Sequence, residues 1–258
     1  MHITEAQLME WVAAFIWPLV RISAMFISLP VLSMQSVPVR VRMILSVAIT
    51  LVVMPMVDRP PPIEVFSWQG GAVVLQQLLI GIVTGFILQM VFSLVTFCGQ
   101  NIAYGMGLGF ATMIDPQTGI QVPVISQFFW ILATFMFLLL NGHLVVLHML
   151  IDSFNTLPIA DIGFERDDYW RLIRWSSSIF SGGLLLSLPA VMTLLLVNIG
   201  FGVATRVAPQ LNIMAVGFPV TIMAGMVFIW ATLENLLDGF TSFLEDSYQL
   251  TNEILRLV

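Results

Sequence analysis

Long apolar runs with few charges govern what this chain can become. They cover residues 8–29, 39–57, 72–98, 124–151, 176–202 and 211–237, six in all. A helix rises about 1.5 Å per residue, so about 20 residues cross a hydrocarbon core of about 30 Å. Five of the runs meet that length; the second is marginal and begins with Arg40 and Arg42. A lone strand in lipid would leave its backbone polar groups unpaired, so the spans must be helical. The runs also lack the alternation that a membrane barrel requires. The expected fold class is all-α: a polytopic membrane protein of about six kinked hydrophobic helices.

Composition supports this reading. Hydrophobic residues make up 59% of the 258 and charged residues only 9%, against about 25% charged in ordinary soluble domains. Too few charges remain to cover a water-facing surface, so lipid or partner subunits must cover much of it. The net charge of −6 and the absence of a basic stripe exclude a general nucleic-acid binder. Cys98 is the single cysteine, which rules out an internal disulfide. The N-terminus has no positive n-region and no small-residue cleavage site, so the first apolar run is expected to stay in the mature protein.

The breaks carry turn chemistry. Pro30 and Pro38 bracket the first connection, and Asp58, Arg59, Pro60, Pro61 and Pro62 form a stiff second one. The third covers 99–123, the charged fourth 152–175 and the short fifth 203–210, while the tail 238–258 is helix-compatible. Pro18, Pro189 and Pro219 inside apolar runs predict bent helices. Gly81 and Gly85 form a small-xxx-small pair that permits close backbone approach.

Arg21 strains the first run. An Arg at a helix centre costs about 2.5–3.5 kcal/mol on an insertion scale, and a buried Arg needs a partner. Glu5 lies outside the run and Glu10 near its N-terminal end, far along the helix from Arg21, so the partner is expected on another helix or another subunit. Five Arg on the side of the termini against three on the other lean toward cytoplasmic termini.

Catalytic chemistry has no foothold in these residues. His143 and His148 are five residues apart and fall on different helix faces. No metal-ligand spacing, phosphate-binding loop or nucleophile motif is present. The expectation is a protein that is not an enzyme, with no cofactor and no metal. Asn141, Gly142 and His143 read as a polar turn that ends a helix. The apolar runs hold few ionisable residues, which disfavours an ion-coupled or small-molecule transporter.

Residues 104–119 are too apolar for an exposed loop and too Gly-rich for a good helix. Irregular backbone at membrane depth must be buried in protein or line a cavity. Two readings stay open. Gly105, Met106, Gly107, Leu108, Gly109, Phe110, Met113 and Ile114 form either a soft apolar constriction that holds back water and ions, or a buried connector with no gating role.

Arg206, Val207, Ala208, Pro209, Gln210, Leu211 and Asn212, followed by Val216, Gly217, Phe218 and Pro219, resemble the signature of the FliR family and its injectisome counterparts. Arg21 with Pro30, the stretch Pro38, Val39, Arg40, Val41 and Arg42, the turn Asn141, Gly142 and His143, and Ser153, Phe154, Leu157 and Pro158 follow in order over nearly the whole chain. The resemblance implies a single export-gate domain. Within it, residues of about 1–175 would be similar to FliP and residues of about 176–258 to a FliQ-type helical hairpin and tail. It implies assembly with FliP and FliQ into a closed protein-conducting channel, with FlhB and FlhA nearby and unfolded exported polypeptides as cargo. The place would be the bacterial inner membrane at the flagellar basal body, in contact with lipid but with the core raised toward the periplasm. Arg21, Pro38, Arg40, Arg42, Asn141, His143, Arg206, Pro209, Gln210 and Asn212 would serve subunit interfaces or structure, and the 104–119 segment would be the pore plug. The injectisome export gate is the alternative branch.

Overall fold

A computed structural model describes residues 5–34, 37–58, 63, 67–109, 111–114, 121–159, 163–207 and 213–257. Among these, eight α-helices account for most of the chain: α1 (Glu5–Ser28), α2 (Val39–Val53), α3 (Trp68–Gly105), α4 (Val124–Leu139), α5 (Gly142–Thr156), α6 (Arg166–Trp175), α7 (Ser177–Val207) and α8 (Ile213–Leu255). A single 3-10 turn, Met54–Met56, follows α2. Two short strands, β1 (Thr112–Ile114) and β2 (Gln121–Pro123), pair antiparallel, with Met113 opposite Val122. Five helices are long and apolar enough to cross a membrane, or six if α4 and α5 count as one broken span. The all-α, polytopic expectation holds, with the small hairpin as an addition.

Three boundaries differ from the sequence reading. The run 124–151 is not one helix: it breaks before α5, where Asn141 takes a left-handed φ of 55°. Asn tolerates that conformation better than most residues with a Cβ, so the polar turn read from Asn141, Gly142 and His143 is present. The third connection starts later than expected, because α3 continues to Gly105. The tail does not separate from the last apolar run. α8 is one helix of 43 residues, about 65 Å long and roughly twice a bilayer core.

The chain divides into two compact units. The first comprises Met1–Gln89, Leu140–Arg174 and Asp246–Val258. Ile80, Leu157 and Leu255 form a buried cluster in it, and Thr156 Oγ1 donates to the Leu255 carbonyl at 2.6 Å. At its surface Arg256 pairs with Glu165 at 2.8 Å, and Arg171 with Glu253 at 3.1 Å.

The second unit comprises Met90–Leu139 and Trp175–Glu245. Phe92 is buried at its core, with Trp130, Phe137 and Phe240 around it at ring separations of 5.8–6.1 Å and tilted or edge-on planes. Such geometry lets each ring edge meet a ring face. Gly99 lets α4 lie directly on α3, since a Cβ there would fall 2.6 Å from Ser126 Cα.

Candidate functional site

Two polar constructions stand out among the apolar helices. The first surrounds Arg21, which is wholly buried on α1. Its Nε donates to Gln77 Oε1 on α3 at 2.7 Å, its Nη1 to Ser153 Oγ on α5 at 2.9 Å, and its Nη2 to the Leu157 carbonyl at 2.7 Å. The partners therefore lie on other helices of the same chain, and these three acceptors are neutral. Charge compensation has a different source. Leu157 is the C-cap of α5, where helix carbonyls are left without intrahelical donors and the macrodipole is negative. The guanidinium thus caps a helix end. Its Cζ also lies 4.1 Å from the centre of the Phe154 ring, a cation–π contact strengthened by burial.

A glycine notch makes this geometry possible. Gln77, Gly81 and Gly85 recur every four residues and so share one face of α3. A Cβ on Gly81 would fall 2.2 Å from the Arg21 carbonyl, and one on Gly85 would fall 2.9 Å from the Leu29 nitrogen. No side chain fits there. The two backbones meet, and Gln77 is carried within reach of Arg21. The sequence reading missed Gln77 and the capping role of Leu157. The available signal was a Gln one helical turn before the Gly81 and Gly85 pair, on the same helix face.

The second construction is the end of α3 and the segment after it. The Leu108 amide donates to the Ala103 carbonyl at 2.9 Å and the Gly107 amide to the Tyr104 carbonyl at 3.0 Å. Gly107 has a φ of +78°. This pair of bonds around a left-handed residue is a Schellman cap, and glycine adopts that conformation without a Cβ penalty. Gly105 is thus the last helical residue, Met106 is completely buried, and Gly107 is the cap. Leu108 and Gly109 are half-buried, and Met113 in β1 is exposed. Ile114 pairs with Gln121 in the hairpin. Phe110 lies outside the described residues.

The remaining candidate positions are dispersed. Pro38 is the N-cap of α2. Arg40 is exposed there, while Arg42 donates through Nη2 to the Val37 carbonyl at 3.2 Å. Asn141 is exposed at the α4–α5 break, and the buried Nδ1 of His143 has no partner among the described residues. Arg206 is exposed in the last turn of α7. Pro209, Gln210 and Asn212 lie outside the described residues. Among the described residues no group of three His, Cys, Asp or Glu is placed to hold a metal ion.

Residues 12–247 match the family of bacterial export proteins, family 1. The chain belongs to the FliR family. It is 37% identical over 244 residues to the flagellar biosynthetic protein FliR of Escherichia coli (strain K12), covering 95% of this chain and 93% of the relative. It is 38% identical over 248 residues to that of Pectobacterium carotovorum, covering 96% and 93%. Over 220 residues it is 29% identical to that of Bacillus subtilis (strain 168), covering 84% of each. As a member of this family the chain is a membrane component of an export apparatus and not an enzyme. Both polar constructions lie inside the matched region, so both belong to the family portion of the chain.

Proposed function

We propose that this chain is the FliR-type subunit of the flagellar protein-export gate. In this reading it co-assembles with FliP- and FliQ-type chains into the closed channel of the basal body, beside FlhB and FlhA. The observation that carries the proposal is the amount of apolar surface its own fold leaves uncovered. Leu185 and Leu196 on α7 are 67% and 68% exposed, and Met223 and Trp230 on α8 are 70% and 80% exposed. A family of export proteins supplies sister subunits to cover such faces.

Helix length supports a core raised out of the bilayer plane. α3 has 38 residues and α8 has 43, about 57 and 65 Å, against a hydrocarbon core of about 30 Å. Tilt alone does not absorb that excess. Residues of about 1–175 correspond in this reading to the FliP-like part, and the α7–α8 pair to the FliQ-like hairpin. Pro38, Arg40 and Arg42 at the start of α2, and Arg206, Pro209, Gln210 and Asn212 at the α7–α8 connection, are the polar positions that would dock against neighbours. Arg21, Asn141 and His143 would hold the chain's own architecture.

The segment from Gly105 to Ile114 is proposed to close the channel, with Gly105, Met106 and Gly107 anchoring it and Leu108, Gly109, Phe110, Met113 and Ile114 forming a soft barrier to water and ions. Deleting residues 109–114, beyond the helix cap, tests this. The assembled complex is expected to remain and its leak to small ions to rise. Native conductance in an assembled complex would remove the plug role.

A further inference from the structure

The segment after α3 is fastened at its first residues, and the fastening comes from α7 and α8. The Met106 side chain is fully buried. Opposite it on α8 is Gly225, where a Cβ would fall 2.4 Å from Met106 Cγ and 2.6 Å from Sδ. The absence of a side chain at position 225 is what makes room for the thioether. One turn earlier on the same face, Thr221 Oγ1 shares its proton between the Met106 carbonyl at 3.1 Å and the Phe218 carbonyl of its own helix at 3.0 Å. From α7, Asn198 Nδ2 donates to the Gly105 carbonyl at 3.1 Å. Gly105 ends α3 and Met106 follows it directly, where carbonyls are left over when a helix stops. The chain then turns sharply at Gly107, against which Phe218 of α8 packs so closely that a Cβ would fall 2.8 Å from its ring.

We infer that Met106 is the fixed root of the closing segment, and that Asn198, Thr221 and Gly225 are positioning residues that set the segment's resting place. This rests on the plug reading above. The physical reason is that the socket, the hydroxyl donor and the Phe218 wall all belong to one helix. A shift of α8 by a fraction of a turn withdraws all three together. The segment's position is thereby coupled to α8, while the barrier itself lies beyond Gly107. Leu108 and the hairpin can move only as far as this root allows.

The test uses cells carrying the complete flagellar export apparatus. Assembly is read by co-purification, and the closed state by small-ion leak across the cytoplasmic membrane. Thr221→Val keeps the side-chain shape and removes the donor. Loss of one such hydrogen bond is expected to raise the leak about five-fold with assembly unchanged. Gly225→Ala pushes into Met106 and is expected to raise the leak as well. Adding Met106→Ala to Gly225→Ala removes the Cγ, Sδ and Cε that the new methyl would meet and is expected to lower the leak below that of Gly225→Ala alone. Simple packing loss would make the double variant worse than either single one.

Native leak in assembled Thr221→Val and Gly225→Ala complexes, beside a raised leak in the 109–114 deletion, would overturn the root and leave the plug standing. Native leak in the deletion as well would remove the plug reading and the root with it. If Gly225→Ala prevents assembly, the isosteric Thr221→Val decides the matter alone.

Discussion

α3 and α7 are built from the same kind of sequence yet meet different surroundings. The stretch containing α7 reaches a mean hydropathy of 2.2 and α3 reaches 2.4. Within the chain, 67% of the most apolar part of α3 is buried, against 17% of that around α7, 17% of α2 and 22% of α8. A helix that is apolar all round suits a protein interior and a lipid or subunit interface equally well. Hydropathy therefore identifies the helices without saying what covers them. The difference is written locally: α3 carries Gly81, Gly85 and Gly99 where another backbone lies within van der Waals reach, as Gly183 does in the first part of α7, whereas Gly200 and Gly202 farther along α7 face open space.

The largest expected effect comes from breaking the covered side. Arg21→Ala removes three hydrogen bonds to a charged donor and leaves Gln77, Ser153 and the α5 C-cap without their partner. Bonds to charged groups contribute about 1.5–3 kcal/mol each and are not additive. A loss of about 3 kcal/mol or more is expected, read as a collapse of steady-state protein level and of thermal stability in detergent. Arg21→Lys should recover little, because an ammonium does not reproduce the guanidinium fork.

Next in size is one substitution placed on both sides of the comparison. Gly81→Ala forces α1 away from α3, since its methyl would fall 2.2 Å from the Arg21 carbonyl, and overpacking of this kind costs about 1–3 kcal/mol. Gly200→Ala meets nothing within 4 Å in the chain and gains helix propensity of up to about 1 kcal/mol. Thermal unfolding of the two purified variants checks the contrast. Equal destabilisation by both would mean that α7 is as tightly covered by its own chain as α3.

The smallest effect concerns a second helix end. α8 stops as α3 does, with the Leu257 amide donating to the Asn252 carbonyl and the Arg256 amide to the Glu253 carbonyl. Here the left-handed residue is Arg256, with a φ of 57°, instead of a glycine. Arg256→Gly relieves backbone strain of about 1–2 kcal/mol and loses an exposed ion pair to Glu165 worth about 0–1 kcal/mol together with a longer, 3.8 Å pair to the mostly buried Asp168. Stability is expected to stay the same or rise slightly. A clear loss would show that the ion pairs outweigh the strain.

What could be read from the sequence follows the same division. The long apolar runs gave the helices because spacing and polarity are local signals. The Asn141 turn was readable because Asn-Gly is turn chemistry. The need of Arg21 for a partner was readable from cost alone, but the partner was not. A search for acids cannot find a helix C-terminus, whose negative end belongs to the backbone of residues up to Leu157 and has no letter of its own. The hairpin was missed because strands of three residues are too short to show alternation. The true end of α3 was missed because four glycines among residues 99–109 looked like a loop, whereas two of them are helical: Gly99 packs on Ser126 of α4, and the Gly105 carbonyl accepts from Asn198. The cover of α7 and α8 was unreadable, since in the proposed assembly it lies in other molecules.

That external cover is best tested by purifying the chain with its native membrane partners in mild detergent and weighing the assembly by native mass spectrometry. A defined hetero-oligomer containing FliP-type and FliQ-type chains, stable to detergent exchange, is the expected result. A well-behaved monomer, with lipid alone on the apolar faces of α7 and α8, would contradict it.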